Sequence, residues 1–270
     1  MVPPIYDWIS HFSEGLARVR KGGKNGYINR EGQEVVPLIY DDALPFSQGL
    51  ASVYRGDKWG YINPADQEVV PLIYDWAESF SEGLAAVNRG DKYGYINREG
   101  QEVVPLIYDW AESFSEGMAM VEKGNKYGYI NRAGQEVVPL IYDYGYSFSE
   151  GMAMVEKGNK FGYINREGQE VVPLIYDYGY SFSEGLARVK KGNKHGYINR
   201  EGQEVLTLIY NFGYFFSEGL ATVYKRGKWG YINQQGQVVI PFVFYYIKSF
   251  SEGLAVVKKD DRWGILKNPL

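Results

Sequence analysis

One glycine recurs at Gly26, Gly60, Gly94, Gly128, Gly162, Gly196, Gly230 and Gly264, a step of 34 residues each time. A phenylalanine keeps the same step from Phe12, Phe46 and Phe80 to Phe250. A second glycine does so from Gly15 and Gly49 to Gly253. No insertion or deletion breaks the register. A fixed period of this length means stacked copies of one supersecondary unit, since one such unit buries too little to stand alone. Pro105–Val138 and Pro139–Val172 differ at only 5 of 34 positions. Such near-identity fits recent duplication or a symmetrised design. Drift such as Thr207 in place of Pro and Asn211 in place of Asp favours a natural gene.

Each copy reads EVVPLIYD, a variable trio, SFSEGLAxV, a Gly turn, then KWGYINREGQ. Three strands fit: EVVPLIY, rich in β-branched residues, then GLAxVxK, then WGYIN. The second and third are joined by Gly22-Gly23, Gly56-Asp57, Gly90-Asp91 and Gly124-Asn125, pairs suited to tight hairpins. Asn97 to Gly100 suits a type I turn closed by a Gly bulge before the next strand. The expected unit is a three-stranded meander with WGYIN in the middle. Proline cannot donate to a ladder, so Pro37, Pro71, Pro105, Pro139, Pro173 and Pro241 belong on an edge strand. Glycine inside a central strand marks a close approach. We expect a large aromatic side chain to cross the WG glycine.

The expected fold is all-β: a closed, eight-repeat, propeller-like ring of three-stranded antiparallel sheets, one repeat domain over residues 1–270. Eight periods make 272 residues, two more than the chain has, so Val2–Tyr6 is expected to complete the last sheet beside Trp263–Lys267. An open β solenoid is the alternative, disfavoured because neither end reads as a polar cap.

The recurring KWGYIN, Gly, Val, Pro, Tyr-Asp, Phe-Ser-Glu-Gly-Leu-Ala pattern resembles the WG-repeat family, named for its Trp-Gly pair, over the whole chain. The Trp survives at Trp59, Trp229 and Trp263, and Tyr or Phe replaces it elsewhere except at Asn25 and His195. The family is largely bacterial. The resemblance implies a repeat scaffold and no reaction.

Composition narrows function. There is no cysteine and there are two histidines, His11 and His195, so thiolate zinc sites and most His-based metal sites and triads fall away. Net charge is −4 and pI about 5.4, without the basic excess of a nucleic-acid binder. No apolar run reaches membrane-span length, and the N-terminus shows no signal pattern, so a cytoplasmic protein is expected. No phosphate loop, HExxH or EF-hand is present, and no cofactor or metal is expected.

Function is sought where copies differ. The trio holds aromatics at Trp76, Trp110, Tyr144, Tyr146, Tyr178, Tyr180 and Tyr214, the expected ligand-binding residues. It reads as a loop between sheets, where binding commonly sits. The competing role is burial in the seam between sheets, favoured at the first aromatic. The second, Tyr146 or Tyr180, alternates with Glu78 and Glu112 and is expected at the surface. The recurring Asp after Tyr reads as a cap for backbone N–H groups, and the Glu of SEG as solvated. Identical carboxylates on every copy lack the unlike, converging groups of an active site. The expectation is a non-enzymatic binding or scaffold protein, with carbohydrate first and peptide or protein second as partner. A purely structural scaffold and a glycan-acting enzyme using carboxylates are the alternatives.

Overall fold

The computed structural model describes residues 4–270. The chain, read above as one repeat domain, divides into two compact units, Met1–Leu140 and Ile141–Leu270. Among the described residues every regular element is a strand.

The third sheet shows how a repeat is built. Trp76–Ala77 pairs with Leu84–Arg89, which pairs with Lys92–Asn97, which pairs with Glu102–Tyr108, all antiparallel and in chain order. In the first unit, sheets of the same order begin at Trp8, Asp42, Trp76 and Trp110, the last ending at Tyr142 just past the unit boundary. In the second unit they begin at Tyr144, Tyr178, Phe212 and Tyr246. The fold class is therefore all-β and propeller-like, with eight successive up-and-down sheets of the blade type. The sheet beginning at Tyr246 has three strands among the described residues. The strand expected over Val2–Tyr6 lies partly outside the described residues, and Pro4–Tyr6 carry no strand.

Two expectations change. The variable trio is not a loop: its first two residues form a short strand, so most sheets have four strands instead of three. Trp76 pairs with Asn88 and Ala77 with Val87, and the Glu78 amide donates to the Ala86 carbonyl at 2.9 Å. The alternation of a strand then decides which trio residue is buried. Second, the atoms nearest a Cβ added at the WG glycines from Gly26 to Gly196 are edge-strand backbone and not an aromatic ring, and at Gly230 a ring atom, Phe242 Cδ1 at 3.1 Å, joins them. Tyr93 pairs with Tyr108 and Tyr95 with Val104, so three residues, Pro105 to Ile107, bulge opposite the single Gly94. A Cβ on Gly94 would lie 2.5 Å from the Val104 carbonyl oxygen and 2.8 Å from the Leu106 nitrogen. The backbone of the edge strand itself occupies that space. The glycine and the proline of the facing edge strand are thus one device: the bulge needs no N–H from the proline and no side chain beneath it.

The core lies where one sheet meets the next. Tyr95 is fully buried, donates its hydroxyl to the Glu112 carbonyl at 2.6 Å, and meets Phe114 edge-on at 4.8 Å. Tyr27 with Phe46, Tyr61 with Phe80, Tyr163 with Phe182 and Tyr197 with Phe216 repeat the contact. Edge-on aromatic pairs add to the burial term. The serine of each SEG turn also reaches the next copy, as Ser81 Oγ donates to the Phe114 carbonyl at 2.8 Å.

The SEG turn departs from its expected solvation. Glu82 has φ 53° and Gly83 φ 86°, a two-residue hairpin turn of type I′. Glutamate is poor in this left-handed region. Its carboxylate offsets the cost by accepting from the Gly117 amide of the next turn at 2.9 Å. Arg132 adds two bonds to the same oxygen, at 2.6 and 3.0 Å. Burial raises the Glu82 pKa, but Arg132 and the Gly117 amide outweigh it and hold the group below its ordinary value. Glu14 bridges to Gln48 and Gly49, and Glu150 to Gly185 and Arg200, in the same way. Glu82→Ala is expected to cost about 1–2 kcal/mol in urea unfolding at pH 7. That loss should shrink as the pH falls through the carboxylate range, where wild type also forfeits the bond.

Candidate functional site

The first trio residue points away from the core and, from the second copy onward, the second points into it, while Ile9 of the first copy is exposed. Ala43, Ala77, Ala111, Gly145, Gly179, Gly213 and Ile247 are all buried. Crowding explains the small ones: a Cβ on Gly179 would lie 2.5 Å from the Tyr163 hydroxyl and 2.8 Å from Met154 Sδ. Where Ala77 stands, the facing residue is the smaller Ser52, whose hydroxyl donates to the Ala77 carbonyl at 2.8 Å. The sequence carried this signal as a size trade between positions 25 residues apart, and reading the copies one column at a time missed it.

The expected ring positions divide differently from the sequence reading. Trp76, Trp110 and Tyr144, expected in the seam, are 37%, 40% and 38% exposed. Tyr146 and Tyr180, expected at the surface, are half-buried, as is Tyr178. Tyr214 is exposed. The physical reason is the extra strand: it turns the first residue outward, and at Tyr146 and Tyr180, unlike Tyr214, the third then folds back over the sheet. Tyr178 meets Tyr180 edge-on at 4.9 Å, and Tyr144 meets Tyr146 at 5.0 Å. Burial, then the neighbouring Tyr178, pushes the Tyr146 phenol above its ordinary range.

At Trp76, Trp110 and Tyr178 the first ring of the trio rests on the residue that gives the WG motif its aromatic. Trp59 meets Trp76 at 5.0 Å, Tyr93 meets Trp110 at 5.1 Å, and Phe161 meets Tyr178 at 5.1 Å. His195 takes the role against Phe212 at 5.4 Å, as a substituted packing residue should. Asn25 fills its place by a hydrogen bond, donating from Nδ2 to the Asp41 carbonyl at 2.9 Å. Trp76 Nε1 also donates to Glu78 Oε1 at 2.8 Å, which fixes the ring. Flat, partly exposed rings on short strands can stack on a sugar face or a planar peptide group.

The recurring aspartates do hold backbone, as expected of a cap. Asp75 accepts from the Gly90 amide at 2.7 Å and from Lys58 Nζ. These bonds, Lys58 first, hold its carboxyl below the usual range. Asp109 and Asp177 repeat the arrangement with Lys92 and Lys160. No group of three His, Asp or Glu able to hold a metal occurs among the described residues. No helix among them is long and apolar enough to cross a membrane.

His195 is 7% exposed, and burial, then Arg188 and Lys190, lower its pKa to about 4. An unfolded histidine titrates near ~6.5. As pH falls from there to about 4, the unfolded chain takes a proton that the folded chain refuses, so stability falls. His195→Phe, the ring found at Phe161, should remove about 1–3 kcal/mol of that acid loss. Urea midpoints of both proteins at neutral pH and in mild acid measure it.

The geometry defines a class: a tandem-repeat, propeller-like β protein whose variable strand carries the rings. The WG containing repeat model matches residues 1–24, 26–59, 59–93, 93–127, 127–161, 161–194, 196–229 and 229–263. The chain belongs to that repeat family. No curated protein matches it in sequence. Among solved structures, a eukaryotic initiation factor is similar at TM-score 0.58 and 11% identity, over 94% of this chain and 83% of the other. That likeness concerns the fold alone. Hsv2p of Kluyveromyces lactis (TM-score 0.46, 11% identity, 99% and 100% covered) is also similar. So is BamB from Moraxella catarrhalis (0.41, 12%, 98% and 92%).

Proposed function

We propose that this is a non-catalytic binding or scaffold protein that meets its partner through the outward rings of the trio strands. The observation that supports this reading is the placement of Trp76, Trp110, Tyr144 and Tyr214. Each is part-exposed on a strand or strand end, and Trp76 and Trp110 are backed by a second ring. Carbohydrate is the first ligand class, because sugar faces stack on flat rings, and peptide is the second. The engagement of the recurring Asp and Glu side chains with turn amides supports binding over acid–base catalysis, which needs groups free to transfer protons. The reading places the protein in the cytoplasm.

The test is a fluorescence titration with neutral oligosaccharides and with peptides, against wild type and a Trp76→Ala/Trp110→Ala variant checked for fold by circular dichroism. Saturable binding lost in the variant supports the reading. Binding unchanged in the folded variant removes these rings from the site. Absence of binding by either class favours a purely structural scaffold.

A further inference from the structure

Arg188 breaks the pattern of its column. The same register position holds Ser52, Ala86, Met120, Met154, Thr222 and Val256, and only Arg18 matches it. The Arg188 side chain lies in the second unit, 4% exposed, on the strand Leu186–Lys191. Its Nε and Nη1 have no hydrogen-bond partner among the described residues. Aromatic rings wall it: Tyr180 at 3.7 Å from the guanidinium carbon, Phe212 at 4.8 Å and Phe215 at 6.0 Å. Phe212 also meets His195, whose Nδ1 is likewise buried without a partner among the described residues. A guanidinium stays charged at any ordinary pH, and a buried charge without a paired anion is costly.

The first repeat shows what such an arginine takes. Arg18 donates from Nη1 to Asp42 Oδ1 at 3.2 Å and to the Ala43 carbonyl, with Trp8 stacked at 4.6 Å. Asp42 and Phe212 occupy the same register position, two trios that begin 170 residues apart. The other copies carry a ring in the column of Asp42, so Arg188 meets Phe212 of the seventh repeat where Arg18 meets a carboxylate. Phe215 is a second departure: Ser79, Ser113, Ser147, Ser181 and Ser249 hold its position in five copies, and His11 and Pro45 in the first two. It is 45% exposed and meets Tyr180 edge-on at 5.6 Å, so it lies over the arginine from the solvent side.

We propose that Arg188 binds the carboxylate of a small ligand with a flat body, the ligand carboxylate taking the part that Asp42 plays for Arg18. Tyr180, Phe212 and Tyr214 hold the ligand body, and Phe215 swings aside to admit it. Two sources share this chemistry, an acidic sugar and an aromatic acid. The inference deepens the binding reading above by naming a ligand class at one of its trios, and its residues are distinct from Trp76 and Trp110.

Calorimetric titration with glucuronate and with benzoate tests it, using glucose and benzamide as uncharged counterparts and inorganic phosphate as a second anion. At least one carboxylate is expected to bind saturably, and the tighter of the two names the source. Arg188→Met, the residue of Met154, should keep the fold and weaken binding about 10- to 100-fold. Phe212→Asp rebuilds the Arg18–Asp42 pair and should also abolish binding, by filling the site from within. Absence of binding by both carboxylates overturns the proposal. So does undiminished binding to Arg188→Met, or phosphate binding as tight as either carboxylate. Trp76→Ala/Trp110→Ala should bind the carboxylate unchanged, so loss of neutral-oligosaccharide binding and loss of this site are separate results.

Discussion

Gly94→Val is expected to cost more than about 4 kcal/mol, at the severe end for a single substitution. The added Cβ meets backbone atoms of the edge strand at 2.5 and 2.8 Å, and backbone anchored by the Tyr93–Tyr108 and Tyr95–Val104 pairs at either end of the bulge cannot rotate away as a side chain can. The repeat supplies its own control. Among the described residues the nearest atom to a Cβ added at Gly264, itself exposed, is Val257 Cγ2, at an ordinary 3.9 Å. Gly264→Val should therefore change stability by less than about 1 kcal/mol, and valine's preference for strands can make the sign favourable. Equilibrium urea unfolding of the two variants reads the contrast. Equal losses would mean that the glycine serves something common to all copies other than the bulge.

Phe80→Ala should cost about 3–5 kcal/mol, as expected for a buried ring removed from a tight core. Phe80 is 2% exposed and packs tilted against Tyr61 at 4.8 Å. Phe12 occupies the same position of the motif but is 46% exposed. Phe12→Ala should cost less than about 1.5 kcal/mol, since little area returns to water. Thermal or urea midpoints of the two variants decide whether the seam contact, and not the motif letter, carries the stability.

The period, the strand order and the edge position of the prolines were readable because each is a property of one column of the repeat. Val36, Val70 and Val104 stay buried behind a proline in the next position, and the proline reads correctly as an edge residue. What was hidden depends on pairs of columns. The bulge joins Gly94 to Pro105–Ile107, and either half alone suggests only a generic close approach. The trio strand has two paired residues, too few for an alternating pattern, and its buried member is often a glycine or alanine that carries no hydrophobic signal. Glu82 was misread because its turn conformation disfavours glutamate, and only the amide of the following turn explains its presence. The aromatic residues of the site were legible as a set, while their order of exposure was not, because it follows from that unseen strand.

That order also separates the two parts of the molecule's chemistry. Columns shared by nearly all copies, the buried Tyr, the Phe and the WG glycine, build sheet and seam. The columns that vary set which ring faces outward and what lies behind it. Arg188 and Phe215 are two such departures, and they meet beside Tyr180 and Phe212.

Amide hydrogen exchange of the trio tests this account most directly. If the trio is a strand that holds its rings rigidly, the amides of Glu78 and Glu112 are bonded, to the Ala86 and Met120 carbonyls at 2.9 and 3.0 Å. They should exchange as slowly as amides of the neighbouring strands, along with those of Asp75 and Asp109, bonded at 2.8 Å. Exchange of Glu78 and Glu112 at the rate of open loops, while the Lys92–Asn97 strand stays protected, would contradict it and return the rings to a mobile loop.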